Sequence, residues 1–343
     1  MFTTRQDSPF ASQGRPLLFL FSHTWQTSGR SSDRPSFSIA IMKGSATALS
    51  SLLIGPAGWH YADWKGIVYP RRSSKARPEL AILADYLDLV EVNSSFYRIP
   101  DPGFVRNWLE QSAHNSRFQF IIKLWQGFTH GGEPVLGGEM SAFKLLLAPL
   151  HEHDKLATVL VQFPWSFKKS EQNMALLEQI TNALRPYPCH VEFRHNSWQD
   201  PDLVALLRRE KVGWVNIDQP VIGASIGPAN VVTTPLAYYR LHGRNYQNWF
   251  REDADRNQRY DYLYSTAELE EWLPRVKETL PKTDKTVVVF NNHFKGQAVV
   301  NCFQLLALLS DSRPAVPREL AEYYPVLAEF ASLPPMQGTL PLF

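Results

Sequence analysis

The sequence predicts an α/β protein whose strands close into a TIM-type (β/α) barrel, and three observations carry that expectation. Eight apolar, β-branched runs recur along the chain, amphipathic helical patterns alternate with them, and several runs end in charged or amide residues. Strand–helix alternation implies parallel strands with right-handed crossovers, and polar residues at carboxyl strand ends are where such folds place their chemistry.

The first strand is expected over 52–57, and a helix over 78–86 leads to a second strand over 87–93. Helix 103–111 precedes strand 118–123, helix 139–151 precedes strand 158–163, and helix 171–184 precedes strand 190–194. Helix 201–209 opens on Asp200-Pro201, a side-chain acceptor followed by a residue with no N–H to lose, and strand 214–218 follows it. From 219 to 235 Gly, Pro and Thr replace any apolar stripe, so the barrel is expected to lack a regular helix after strand six. Strand 237–242 comes next, then helix 266–280 with Ser265 and Glu268 spaced as a capping box, strand 286–291 and helix 296–309.

With 343 residues, of which 44% are hydrophobic and 13% aromatic, the chain can bury a large core in one barrel of about 250 residues. No run approaches the roughly 20 apolar residues that span a bilayer, so a cytoplasmic protein without a membrane partner is expected. A net charge of +2 is too mild to argue nucleic-acid binding from the global field. Cys189 and Cys302 have no second ligand at metal spacing and read as buried, reduced thiols. Residues 1–50 are rich in Ser, Thr and Arg, with Asp7 and Asp33 as their only acids. That segment is expected to be disordered, loosely like a transit peptide, or a mis-extended reading frame with Met42 as the initiator. The barrel is expected over 51–312, and a C-terminal helix with a Pro-rich tail over 313–343.

Alternation sorts the side chains, since successive strand residues face opposite ways. With Val90, Val92, Val191, Phe193, Val215, Ile217, Tyr239 and Leu241 under the helices, Glu91, Asn93, Glu192, Arg194, Asn216, Asp218, Arg240 and His242 point into the barrel. Lys123, Gln162 and Asn291 follow by the same parity. Barrel interiors are normally Val, Ile and Leu, so this many polar residues must be paired in a network. A purely structural lattice, with Glu91 on Arg240 and Glu192 on Arg194, is one such arrangement.

The functional alternative starts from charge. Lys123, Arg194, Arg240, His242, His195, His130 and His293 outnumber Glu91, Glu192 and Asp218, which suits an anionic group, and Arg forks match phosphate or carboxylate. Glu192 is expected to perform acid–base work, with Glu91 as a second carboxylate, Asp218 beside them and His242 shuttling protons. Asn93, Tyr97, Lys123, His130, Arg194, His195, Trp198, Arg240, Asn291 and His293 are the expected substrate contacts. No cofactor is specified; Glu192, Asp218, His242 and His293 could hold a divalent metal, although no close ligand spacing supports one.

Several segments together form a recognisable pattern: Gly55-Pro56-Ala57-Gly58-Trp59, Glu91-Val92-Asn93-Ser94-Ser95-Phe96-Tyr97, Phe128-Thr129-His130, Glu192-Phe193-Arg194-His195-Asn196-Ser197-Trp198, Arg240-Leu241-His242-Gly243-Arg244, Arg259-Tyr260-Asp261-Tyr262 and Asn291-Asn292-His293. In this order, from about residue 52 to 310, the chain resembles the DUF72 (YecE-like) family. The resemblance implies a TIM-type barrel and brings no established activity with it. Pro56-Ala57 stand where that family has Thr-Ser, and Leu124-Trp125-Gln126 replace an Ala-Pro-Arg-like stretch, so no ligand contact is carried over to that loop.

The chain ends Gln337-Gly338-Thr339-Leu340-Pro341-Leu342-Phe343, which resembles the peptide by which bacterial repair proteins dock on the DNA sliding clamp. Gln337, Leu340, Leu342 and Phe343 would then be the partner contacts; folding back onto the barrel is the alternative. Three readings follow. The leading one is a hydrolase-like barrel enzyme for an anionic, phosphate-bearing substrate, with nucleic acid in a repair context as one form. The others are a metal-independent carbohydrate or metabolite enzyme using Glu91 and Glu192, and a non-catalytic DNA-associated module.

Overall fold

In the computed structural model the described residues are 49–333, apart from 72–76, 252 and 254. The expectations for the leader and for Gln337, Leu340, Leu342 and Phe343 lie outside them. The parallel strands are β1 (Leu52–Pro56), β2 (Leu89–Val92), β3 (Gln119–Lys123), β4 (Leu156–Gln162), β5 (Cys189–Glu192), β6 (Gly213–Asp218), β7 (Leu236–Leu241) and β8 (Lys285–Phe290). They pair in the order β1-β8-β7-β6-β5-β4-β3-β2. The ring is closed by a parallel bridge between Ala57 and Glu91, reinforced by the Gly58 N–H donating to the Glu91 carbonyl at 2.8 Å. Gly55 makes that closure feasible, because a Cβ there would stand 1.8 Å from the Leu89 carbonyl oxygen. This is the TIM-type barrel that the sequence predicts.

The main helices are Glu79–Ala84, Gly103–Ser112, Gly138–Glu152, Glu171–Leu184, Pro201–Arg209 and Gln297–Ser310. Each begins and ends close to its expected bounds, because capping residues and apolar stripes mark it locally. Asp200 accepts from the Asp202 N–H, and the Ser265–Glu268 capping box forms in full. The single helix expected over 266–280 is divided into Thr266–Glu270 and Leu273–Thr279, since Pro274 has no N–H to continue the first and fits the opening turn of the second. Residues 219–235 contain no helix, as expected.

The inward layers follow the predicted parity on every polar strand but one. On β6, Asn216 and Asp218 face the helices and Val215 and Ile217 face the barrel. Register fixes this: Asn216 lies opposite Tyr239 and Asp218 opposite Leu241, both outward residues of β7. The physical reason is the missing helix. Asn216 donates to the Val231 carbonyl at 2.9 Å and accepts from the Val231 N–H at 2.8 Å, satisfying backbone that no helix satisfies. Cys189 and Cys302 are free and buried, with burial pushing the Cys189 thiol up to about 12. Among the described residues no helix is long and apolar enough to cross a membrane.

Candidate functional site

The mouth of the barrel is built where β2, β3, β5, β7 and β8 end. Arg240, only 1% exposed, is the hub. Its Nε donates to Glu91 Oε2 at 2.7 Å and its Nη2 to Glu91 Oε1 at 2.6 Å, a bidentate pair, while Nη1 donates to Glu192 Oε2 at 3.1 Å. Tyr238, two residues earlier on the same face, donates to Glu91 Oε2 at 2.5 Å. On the other side Arg194 Nε donates to Glu192 Oε1 at 2.9 Å. His242 Nε2 lies 3.2 Å from that oxygen, and Asn291 Nδ2 is 3.0 Å from His242 Nδ1. The structural lattice expected from the sequence is therefore present, Glu91 with Arg240 and Glu192 with Arg194.

Electrostatics follow from this packing. Burial works against ionisation of Glu192, but Arg240, His242 and Arg194 outweigh it and hold the carboxyl well below its usual range. Burial, against the pull of Glu192 and with the guanidiniums of Arg194 and Arg240 adding to it, lowers His242 to about 3, so its imidazole is neutral. Two carboxylates thus face two guanidiniums and compensate each other. Lys123 is left over. Its side chain is buried, its Nζ stands 3.8 Å from the centroid of the Phe96 ring, and among the described residues that amine makes no hydrogen bond or ion pair. Burial first, and then the nearby Arg240, bring Lys123 down to about 7.

Around this centre lies an aromatic rim. Trp249 approaches the His242 ring with centroids 5.8 Å apart and also lies under Arg194 at 5.6 Å. His130 is exposed and meets Phe96 edge-on. His195 packs against Trp165 and accepts from the Ser197 N–H. His293 stacks on Tyr61 with centroids 4.5 Å apart. Asn93 and Tyr97 line a separate rim cleft of about 210 Å³ with Trp59 and Tyr61.

Among the expected site residues, the structure gathers Glu91, Lys123, Glu192, Arg194, Arg240, His242 and Asn291 at the centre, with Asn93, Tyr97, His130, His195 and His293 around it. Two are elsewhere. Asp218 faces the helices, where Arg244 Nε donates to it at 2.9 Å and Trp272 Nε1 at 3.3 Å; burial raises its carboxyl despite Arg244. Trp198 is fully buried, donates to the Phe167 carbonyl at 2.6 Å and stacks on Phe193, so it closes the core and does not face the mouth. With Asp218 outside, no group of three metal-ligating side chains forms among the described residues. The sequence reading does not single out Tyr238, although its spacing from Arg240 places both on one face of β7, with His242 just past its end.

The molecule is thus a TIM-type barrel with a buried, charge-compensated centre at its carboxyl mouth. The chain belongs to the family described as Protein of unknown function DUF72, whose model matches residues 53–323. It is 32% identical over 286 residues to the UPF0759 protein YunF of Bacillus subtilis (strain 168), covering 78% of this chain and 99% of that protein. Among solved structures it is similar to the DUF72 family protein TM1631 of Thermotoga maritima, with TM-score 0.68, 33% identity, and 75% of this chain and 98% of that one covered. A DUF72 family protein of Enterococcus faecalis V583, EF0366, matches with TM-score 0.66 and 27% identity over 76% of this chain and 96% of that one.

Proposed function

We propose that this protein is a barrel enzyme that receives a small anionic group, phosphate or carboxylate, at the mouth, with Lys123 and Arg194 as the receiving cations. The observation that carries the reading is the leftover amine: both central carboxylates are consumed by Arg240 and Arg194, and among the described residues Lys123 makes no ion pair of its own. An arriving anion supplies that partner and favours the ammonium form, so binding above pH 7 takes up a proton. Lys123 is accordingly the proton carrier in this reading. Glu192, locked by two guanidiniums, acts by holding Arg194 and Arg240 in place. Depth favours a small ligand over a nucleic-acid duplex, since Arg240, His242, Glu91 and Glu192 are almost wholly buried. Docking of the tail on a sliding clamp is a separate proposal, tested by whether deletion of 337–343 abolishes clamp capture.

Calorimetric titration with inorganic phosphate at pH 8, in two buffers of different ionisation enthalpy, tests the reading. Saturable binding with proton uptake is expected, lost in Lys123→Met and weakened roughly tenfold, about 1.4 kcal/mol, in Arg194→Met. Absence of binding, or affinity unchanged in both variants, would overturn it.

A further inference from the structure

Beyond holding a charge, the Lys123 amine is placed as a nucleophile. We infer that Lys123 forms an imine with a carbonyl compound carrying an anionic group, the chemical class of an α-keto acid or a phosphorylated aldehyde or ketone. The inference rests on the anion-receiving reading above and names the substrate class of the same site.

Three features of the geometry support it. The amine sits at the carboxyl end of β3, inside the barrel, buried beneath the Phe96 ring. It has no carboxylate to hold it as an ammonium ion, since the described residues offer its Nζ no hydrogen bond or ion pair. Fixed cations also stand near it, together with the carboxylates that compensate them. The charged groups acting on it are Arg240 from β7, Glu91 from β2, and Glu192 and Arg194 from the end of β5, and Lys123 in turn acts on His130 beyond β3. A lysine desolvated in an apolar pocket or set beside other cations keeps its lone pair available, which is the general route to Schiff-base catalysis. The same cations would hold the anionic end of the ligand, turning an intermolecular attack into a positioned one. Burial of a lysine without a partner is otherwise a cost that a Met or Leu would avoid.

The step balances without a redox partner. The Nζ lone pair attacks the carbonyl carbon, forming C–N and giving a carbinolamine. Its C–O bond then breaks, and the oxygen leaves as water with the two hydrogens that were on the amine. A C=N bond to Lys123 remains, which becomes an iminium on taking one proton from solvent.

The test uses the wild-type full chain and three aldehydes: glyoxylate, pyridoxal 5′-phosphate and uncharged-tail pyridoxal, each trapped with borohydride and mapped by peptide mass spectrometry. At pH 7, labelling of Lys123 by an anionic aldehyde is expected roughly tenfold or more faster than labelling of exposed Lys211 and Lys277, because burial brings the Lys123 amine down to about 7 and the neighbouring guanidiniums position the anionic end. Pyridoxal should label Lys123 more slowly than its phosphate, and inorganic phosphate should protect the site. Faster reaction with glyoxylate would identify carboxylate as the anion, and faster reaction with pyridoxal 5′-phosphate would identify phosphate. Labelling of Lys123 no faster than Lys211 and Lys277 would overturn the inference; if inorganic phosphate still bound in a Lys123-dependent way, the anion-receiving reading would survive. Labelling by pyridoxal as rapid as by glyoxylate and pyridoxal 5′-phosphate, without phosphate protection, would sustain the nucleophile and overturn the anionic part of the substrate class.

Discussion

Two charged clusters occupy the same end of the barrel on opposite sides of its wall. The inner one joins Glu91, Arg240, Glu192, Arg194 and His242; the outer one joins Asp218, Arg244 and Glu271 between strands and helices. The outer cluster reaches solvent at Glu271, whose side chain is 54% exposed, whereas Glu91 and Glu192 are at 0%. Both are fully bonded. What differs is the remainder: the outer cluster has a ready structural role in pinning the segment after β7 to Trp272 and Tyr264. The inner cluster adds the Lys123 amine, which among the described residues makes no hydrogen bond or ion pair. A polar network that stabilises and one that is ready for a ligand can therefore use the same residue types, and the leftover charge tells them apart.

The largest effect is expected at the hub. Arg240→Met leaves Glu91 and Glu192 buried without their shared partner and should cost about 3–5 kcal/mol, read as a lowered urea midpoint or as loss of soluble folded protein. Arg244→Met should cost less, about 1–3 kcal/mol, because Trp272 still donates to Asp218 and its raised carboxyl can take up a proton. The sign of its pH dependence follows. A carboxyl whose folded pKa is raised is most tolerated in its protonated form, so the Arg244→Met deficit should widen as pH rises through that pKa. Equal losses in the two variants would erase the distinction between the clusters.

Much of this was legible in the residues. Strand and helix positions came from period and capping, since Ser265-Thr266-Ala267-Glu268 and Asp200-Pro201 act within one helical turn. The Glu91–Arg240 and Glu192–Arg194 pairs came from strand parity. That parity failed on β6, because Trp214, Asn216 and Asp218 alternate with Val215 and Ile217 and neither face is uniformly apolar. The backbone of Val231, distant in sequence, and the Tyr238 carbonyl decide which face Asn216 takes. Trp198 departs from the sequence expectation for a related reason, as a Trp beside a strand end can close the core or line the mouth, and its partner Phe167 is 31 residues away. The role of Lys123 depends on which carboxylates other residues have already claimed, a three-dimensional sum that spacing does not contain.

Comparing the urea stability of wild type and Lys123→Met across pH reads out the buried Lys123 amine, which among the described residues makes no hydrogen bond or ion pair. The folded pKa of about 7 lies below the ordinary 10.5, so the folded state binds fewer protons than the unfolded one between those values and wild-type stability rises with pH there. Lys123→Met should be more stable than wild type at pH 6, with the gap closing between pH 7 and 10.5 at up to about 1.4 kcal/mol per pH unit. A gap independent of pH would show that Lys123 titrates as an ordinary surface lysine, and the unpaired buried amine would be refuted.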